Sequence, residues 1–210
     1  DWLILAAGAR YTYFGNESWR EHAPGLKSIE DALEVRRRFL LCYERAEHEP
    51  NDDARRALMT FVIIGGGPTG VELAGALAEI ATQSLPTDFR HADTTRTRIL
   101  LVEAEDRLLL AFDEDQSARA KRDLESLGVE VRLNTMATDV RRSSVELKTD
   151  AGGERVECGA VFWAAGIEAE PVAEDVGQRH ARDGRIEVGP DLSVPGHPEV
   201  FAVGDMARMV

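Results

Sequence analysis

Apolar residues in this chain occur in two patterns: short unbroken runs, and longer segments in which they recur every three to four positions. The first suits strands covered on both faces, and the second suits helices packed against them. Trp2 to Ala7 is an apolar run closed by Gly8 and predicts a buried strand. Arg10 to Gly25 has no period and predicts a loop. Ser28 starts a helix, with Asp31 placed to complete a capping box. Ala32, Val35, Phe39, Leu40 and Tyr43 then follow at helical spacing. The charge-dense stretch Glu44 to Arg56, which contains Pro50, predicts a break and a second short helical turn. Thr60 to Ile64 is apolar throughout, as a central parallel strand would be. A glycine-rich loop follows, then a helix to about Gln83. The polar connection 85–98 leads to a strand at Ile99 to Val102. Asp113 to Leu127 predicts a helix ended by Gly128, and Val129 to Leu133 a third parallel strand.

Beyond that point the rhythm shortens. Thr138 to Arg142, Ser144 to Thr149 and Arg155 to Glu157 are brief runs between turn residues and predict a three-stranded antiparallel meander. Ala160 to Ala164 returns as an apolar strand ending at Gly166. Further strands are expected near Arg185 to Val188 and Val200 to Val203. The fold class is therefore α/β, a Rossmann-like domain with a parallel sheet plus the meander.

Composition narrows the function. A formal net charge of −13 over 210 residues argues against nucleic acid and against an anionic membrane surface. The two cysteines, Cys42 and Cys158, form no CxxC pair, which removes a dithiol centre and a cysteine-rich zinc site. They suit a reducing compartment. Histidines 22, 48, 91, 180 and 197 lack metal-ligand spacing and read as surface residues, so no metal is expected. No run is long enough to span a bilayer.

Gly65-Gly66-Gly67-Pro68-Thr69-Gly70 satisfies GxGxxG, follows a strand directly and opens an apolar helix, which is the context the motif requires. Gly65 permits the tight turn, Gly67 lets backbone approach a pyrophosphate, and Gly70 lets helix and strand pack closely. Pro68 suits the first helical turn. The helix N-terminus offers free amides and partial positive charge to phosphates. Glu103 ends the second strand, where a carboxylate can accept from the adenosine ribose hydroxyls and repel a 2′-phosphate. Glu105 and Asp106 add negative charge against Arg107 alone, so NADH is expected over NADPH. Glu72 is placed in the first turn of the phosphate-binding helix. It either complements the helix dipole or reaches the nicotinamide amide. Ala165-Gly166 and Gly204-Asp205 each end a strand; a plain strand-to-loop glycine and a cofactor contact are both open at these positions.

With these residues in place, the chain resembles the type II NADH dehydrogenases, single-subunit NADH:quinone oxidoreductases of the two-dinucleotide-binding flavoprotein family. The resemblance rests on Leu5 to Ala9, Tyr13-Phe14-Gly15, Ser28 to Leu33, Gly65 to Glu72, Asp88-Phe89-Arg90, Leu101 to Ala104, Gly128 to Val131, Trp163 to Gly166 and Val200 to Asp205. It implies an NADH-binding domain, 28–166, inserted between two stubs of an FAD-binding domain, 1–27 and 167–210. It carries Gly65, Gly67, Gly70, Glu72, Glu103 and Gly166 to NADH, with Gly66, Pro68, Thr69 and Ala165 beside them. It carries Gly8, Gly204 and Asp205 to FAD. It also implies hydride transfer from NADH to flavin and electron transfer to quinone, in an intact protein that is cytoplasmic and peripheral at the inner face of the cell membrane.

The family's N-terminal FAD loop and its C-terminal quinone-site segments have no counterpart here. The chain is therefore expected to bind NADH without turnover, FAD and membrane contact being absent. Flavin absorbance with NADH:quinone activity would refute this. No protein group is expected to be catalytic, because no nucleophile or Ser-His-Asp set stands out. Trp2, Leu3 and Phe201 could pair strands between copies, and concentration-dependent dimers are the check. Two rivals stand beside this reading: a ferredoxin or rubredoxin reductase domain acting on a soluble partner, and a non-catalytic dinucleotide-binding or interaction module. A short-chain dehydrogenase fails because no tyrosine has lysine four residues on.

Overall fold

The run Thr60–Ile64 is buried at every position, as a strand flanked by other strands and covered on both faces must be. It belongs to a computed structural model that describes residues 1–172 and 184–210. In chain order the strands are β1 Leu3–Leu5, β2 Ala9–Tyr11, β3 Thr60–Ile64, β4 Arg98–Val102, β5 Val129–Arg132, β6 Met136–Val140, β7 Ser144–Thr149, β8 Gly152–Glu157, β9 Ala160–Trp163, β10 Ile167–Ala169, β11 Ile186–Val188, β12 Ser193–Val194, β13 His197–Ala202 and β14 Ala207–Met209. The helices are α1 Ile29–His48, α2 Asp52–Leu58, α3 Pro68–Glu79 and α4 Glu114–Ser126. The chain divides into two units, Asn16–Ala165 and the pair of segments Asp1–Gly15 with Gly166–Val210.

The larger unit holds a parallel sheet in the order β5-β4-β3-β9. Val62 sits opposite Leu100 on one side and Val161 on the other. Phe61, Ile63, Ile99 and Leu101 form one core with Val35, Phe39 and Tyr43 of α1 and Leu73 and Leu77 of α3. Phe39 anchors it, edge-on to Tyr43 at 5.1 Å and tilted to Phe61 at 4.6 Å between ring centroids. The Tyr43 hydroxyl shares a 2.7 Å hydrogen bond with Thr97, so the one polar atom of that cluster is satisfied. The predicted meander forms as β6-β7-β8, antiparallel throughout. Residues 16–27 pack within this unit: Trp19 lies 5.7 Å from Trp163, whose backbone N–H donates to the Pro24 carbonyl at 2.9 Å.

The helix ends show how local chemistry sets the boundaries. Ser28 caps α1 with the full reciprocal box, its hydroxyl accepting from Asp31 N–H while Asp31 accepts from Ser28 N–H. The break predicted within Glu44 to Arg56 falls at Glu49–Asn51, around Pro50, and the second short helix follows as α2; α1 runs on to His48, with Ala46 fully buried and Glu47 acting as a clamp. The Glu47 carboxylate accepts from the consecutive amides of Arg90, His91 and Ala92, fastening the 85–98 connection to α1. α3 stops at Glu79 and passes into a wider turn, Ile80–Ser84, in which Leu85 N–H reaches the Ile80 carbonyl. Gly128, at φ +86°, ends α4 in the left-handed region as expected.

Two carboxylates give the fold a defined acid response. Amide donors from Ala92 and His91 hold Glu47 at about 2. The guanidinium groups of Arg37 and Arg38 hold Glu34 at about 2 as well. Both values lie below the ordinary 4.5, so the folded state binds these protons less readily than the unfolded chain. Their stabilisation is complete above the unfolded value and is lost as pH falls from about 4.5 towards 2. Urea midpoints measured at pH 7, 4.5 and 3 are expected to fall only across the acidic pair. Glu47→Gln should flatten that decline, and an unchanged slope would remove Glu47 from the account.

The smaller unit contains three short sheets, β1-β13-β12, β10-β2 and β11-β14. Its core is Ile186, Val188, Val194, Ala202 and Met206. Two expectations are corrected here. The segment read as loop from Arg10 includes β2, which pairs antiparallel with β10. The run Trp2 to Ala7 yields only three strand residues and is not buried: β1 is an edge strand, and Trp2 is 75% exposed.

Candidate functional site

The glycine loop joins β3 to α3 at the carboxyl edge of the parallel sheet, where open α/β sheets bind ligands. Its glycines serve different ends. Gly65 has φ +114°, and a Cβ there would lie 2.5 Å from the Ala164 carbonyl carbon and 2.6 Å from the Ala165 nitrogen. Gly70 is buried where a Cβ would come within 1.8 Å of the Gly65 carbonyl oxygen. Gly67 has an ordinary extended backbone, φ −74° and ψ −179°, and a Cβ there would meet nothing within 4 Å. The fold thus requires glycine at 65 and 70. At 67 it requires nothing, and the space belongs to whatever approaches the helix.

No side chain caps α3, and Pro68 occupies its first position. The first-turn amides, those of Thr69 and Gly70 among them, remain available to an anion in the positive end of the helix dipole. Glu103 closes the other side of the loop. Its Oε2 accepts from Gly66 N–H at 2.5 Å and its Oε1 from Glu105 N–H at 2.9 Å. Each oxygen keeps a further lone pair, so the carboxylate can still accept from hydroxyl groups. Arg107 does not neutralise it: its guanidinium donates to the carbonyls of Phe112 and Leu110. An uncapped helix start beside an open glycine, flanked by a carboxylate on the next strand, can hold a dinucleotide pyrophosphate and its sugar.

Gly65 to Gly70, Glu103 and Ala165 are therefore brought together in one unit. Glu72 is exposed and is the fifth residue of α3. The expectation that it lies in the first turn is corrected, because the helix begins at Pro68. Gly166 falls in the smaller unit, with φ +70° and a Cβ position only 2.4 Å from the Phe14 ring. Within that unit β1 and β13 pair in parallel, so Gly8 and Gly204-Asp205 follow the carboxyl ends of neighbouring strands. Both glycines take positive φ with open space at the Cβ position.

Two supporting residues were missed in the sequence. Leu108 is buried against Gly66, and Leu109, at φ +52°, donates its N–H to the Gly66 carbonyl at 2.8 Å. Their only signal was an apolar run, Leu108 to Leu110, just after the second-strand acid. The cysteines are buried, and desolvation pushes the thiol of Cys42 up to about 11 and that of Cys158 to about 12, so neither is a nucleophile at neutral pH. Among the described residues no group of three or more His, Cys, Asp or Glu side chains could hold a metal ion. His180 lies outside the described residues. Among the described residues no helix is long and apolar enough to cross a membrane.

Comparison with known proteins adds a consistent set of relatives. The family model described as pyridine nucleotide-disulphide oxidoreductase matches residues 1–210. The type II NADH:quinone oxidoreductase Ndh of Mycobacterium tuberculosis is 44% identical, aligned over all of this chain and 46% of its own length. The external alternative NAD(P)H-ubiquinone oxidoreductase B2 of Arabidopsis thaliana is 33% identical, again over the whole chain but 36% of its own length. The structure of NDH2 from Plasmodium falciparum in complex with NADH superposes with a TM-score of 0.86 at 25% identity, covering the whole chain and 44% of that protein. The chain spans about half the length, or less, of the curated relatives it matches.

Proposed function

Because this chain belongs to the pyridine nucleotide-disulphide oxidoreductase family, we propose that it is the NADH-binding part of a flavin-dependent NADH:quinone oxidoreductase. The observation that carries the reading is Gly67, where no neighbour fills the Cβ position above an uncapped helix start. The relatives named for NADH and quinone, and the solved relative that holds NADH, support it. Thr69 and Gly70 offer amides to the pyrophosphate, and Gly67 lets it approach. Glu103 receives the adenosine ribose hydroxyls while keeping Gly66 in place. Glu72 is assigned to the nicotinamide amide, and Ala165-Gly166 to close passage of the coenzyme. Gly8, Gly204 and Asp205 are assigned to FAD in the intact protein. When bound, the flavin supplies hydride acceptance and onward electron transfer. This chain's residues contribute binding and orientation. Because a quinone acceptor is lipid-soluble, the intact protein is placed at the inner face of the cell membrane.

Titrating NADH and NADPH against tryptophan fluorescence tests the reading, with NADH expected to bind more tightly. Glu103→Gln keeps an acceptor for Gly66 N–H but removes the charge that opposes a 2′-phosphate. The preference should narrow roughly tenfold, equivalent to about 1.4 kcal/mol. An unchanged ratio would remove Glu103 from discrimination, and no binding of either coenzyme would sink the whole reading.

A further inference from the structure

At the amino-terminal edge of the parallel sheet lies a cavity of about 560 Å³. Leu58, just ahead of β3, and Gly159-Ala160, at the start of β9, form its base. The glycine loop follows the other ends of these strands. Four residues of β9 at ~3.3 Å each put the two places roughly 13 Å apart or more. Gly159 keeps the base low: a Cβ there would come within 2.2 Å of the Leu58 carbonyl oxygen and 2.9 Å of Cys42 Sγ.

The walls are basic in a chain whose net charge is −13. Arg37, Arg38 and Arg45 project from α1, and Arg142 from the turn between β6 and β7. Arg37 and Arg38 share one carboxylate, Glu34, at 2.7 Å each. Arg38 is also fixed by the carbonyls of His22 and Glu21, at 2.8 and 3.0 Å. Among the described residues neither Arg45 nor Arg142 has a carboxylate partner. Four arginines thus line one pocket, with Glu21 beside them, Glu34 paired to Arg37 and Arg38, and Glu157 near enough to act on the Cys158 thiol.

We propose that this pocket is a second ligand site, for a small organic phosphate carrying two or more phosphate groups. Guanidinium forks match phosphate oxygens in bidentate geometry, and several are needed to draw a multivalent anion to an otherwise repelling surface. Leu41, Leu58 and Ala160 give the organic portion an apolar wall. The volume lies within the ~300–1,000 Å³ of small-molecule sites.

Inorganic pyrophosphate, titrated by calorimetry, is the probe. It can also enter the glycine loop, so the decisive comparison uses Gly67→Glu, which closes that loop, and the double variant Arg45→Glu/Arg142→Glu. Pyrophosphate binding should persist in Gly67→Glu. It should weaken at least tenfold in the double variant, whose NADH affinity stays unchanged. Any other pattern overturns the proposal.

Discussion

Gly67→Glu is expected to lower NADH affinity by at least ~100-fold, about 2.7 kcal/mol, with no loss of thermal stability. Both halves of the result follow from one position. The backbone at Gly67 is extended and accessible to any L residue, and its Cβ direction is empty. The substitution therefore creates no clash, and a carboxylate beside a helix N-terminus interacts favourably with the dipole. Surface changes of this kind stay within about ±0.5 kcal/mol. The same carboxylate occupies the approach of the pyrophosphate and repels it. Calorimetric titration of NADH together with a melting curve checks both halves. Undiminished affinity would move the coenzyme elsewhere, and a large fall in Tm would mean that Gly67 serves the fold after all.

Gly70→Ala should act first on stability. A single methyl group at this position would lie 1.8 Å from the Gly65 carbonyl oxygen. That oxygen is backbone, so no side-chain rotation relieves the contact. Helix α3 must move away from the loop, breaking the packing of Leu73 and Leu77 against β3 and β4. Overpacking of this severity costs about 3 kcal/mol, which in a chain of this size lowers Tm by roughly 6–12 °C. Coenzyme affinity falls too, as a consequence of the displaced loop. A melting point unchanged within error would show that the helix tolerates the shift. Two glycines three residues apart in one motif thus give different signatures, one confined to binding and one that begins in stability.

The contrast also shows how far the sequence could be read. GxGxxG between strand and helix was legible because the constraint is local: each glycine answers to atoms a few residues away, or to the neighbouring strand. The capping box at Ser28 and Asp31 and the end of α4 at Gly128 were legible for the same reason. What was hidden depends on distant pairing. The three residues of β2 carry no usable period and become a strand only opposite Ile167–Ala169. The Glu47 clamp joins a helix to amides more than forty residues on, and a surface glutamate announces nothing of this. Glu103 was expected at the ribose, but its grip on Gly66 could not be seen without the loop's shape. The basic pocket was invisible because Arg45 and Arg142 are separated by nearly a hundred positions, each an ordinary surface charge by itself.

The pairing of β2 with β10 has a consequence for how the chain assembles. These strands lie immediately before and after the larger unit, Asn16–Ala165, and hold its two flanks side by side. Tethering the ends of a flexible loop of roughly 150 residues costs on the order of 4–5 kcal/mol in chain entropy. Three residue pairs cannot supply that alone. If the long insert acquires its own structure first, its termini are already neighbours and that entropic toll is gone before the split unit closes. On that route the insert matures early, and the segments around it zip together last and are the first to come apart.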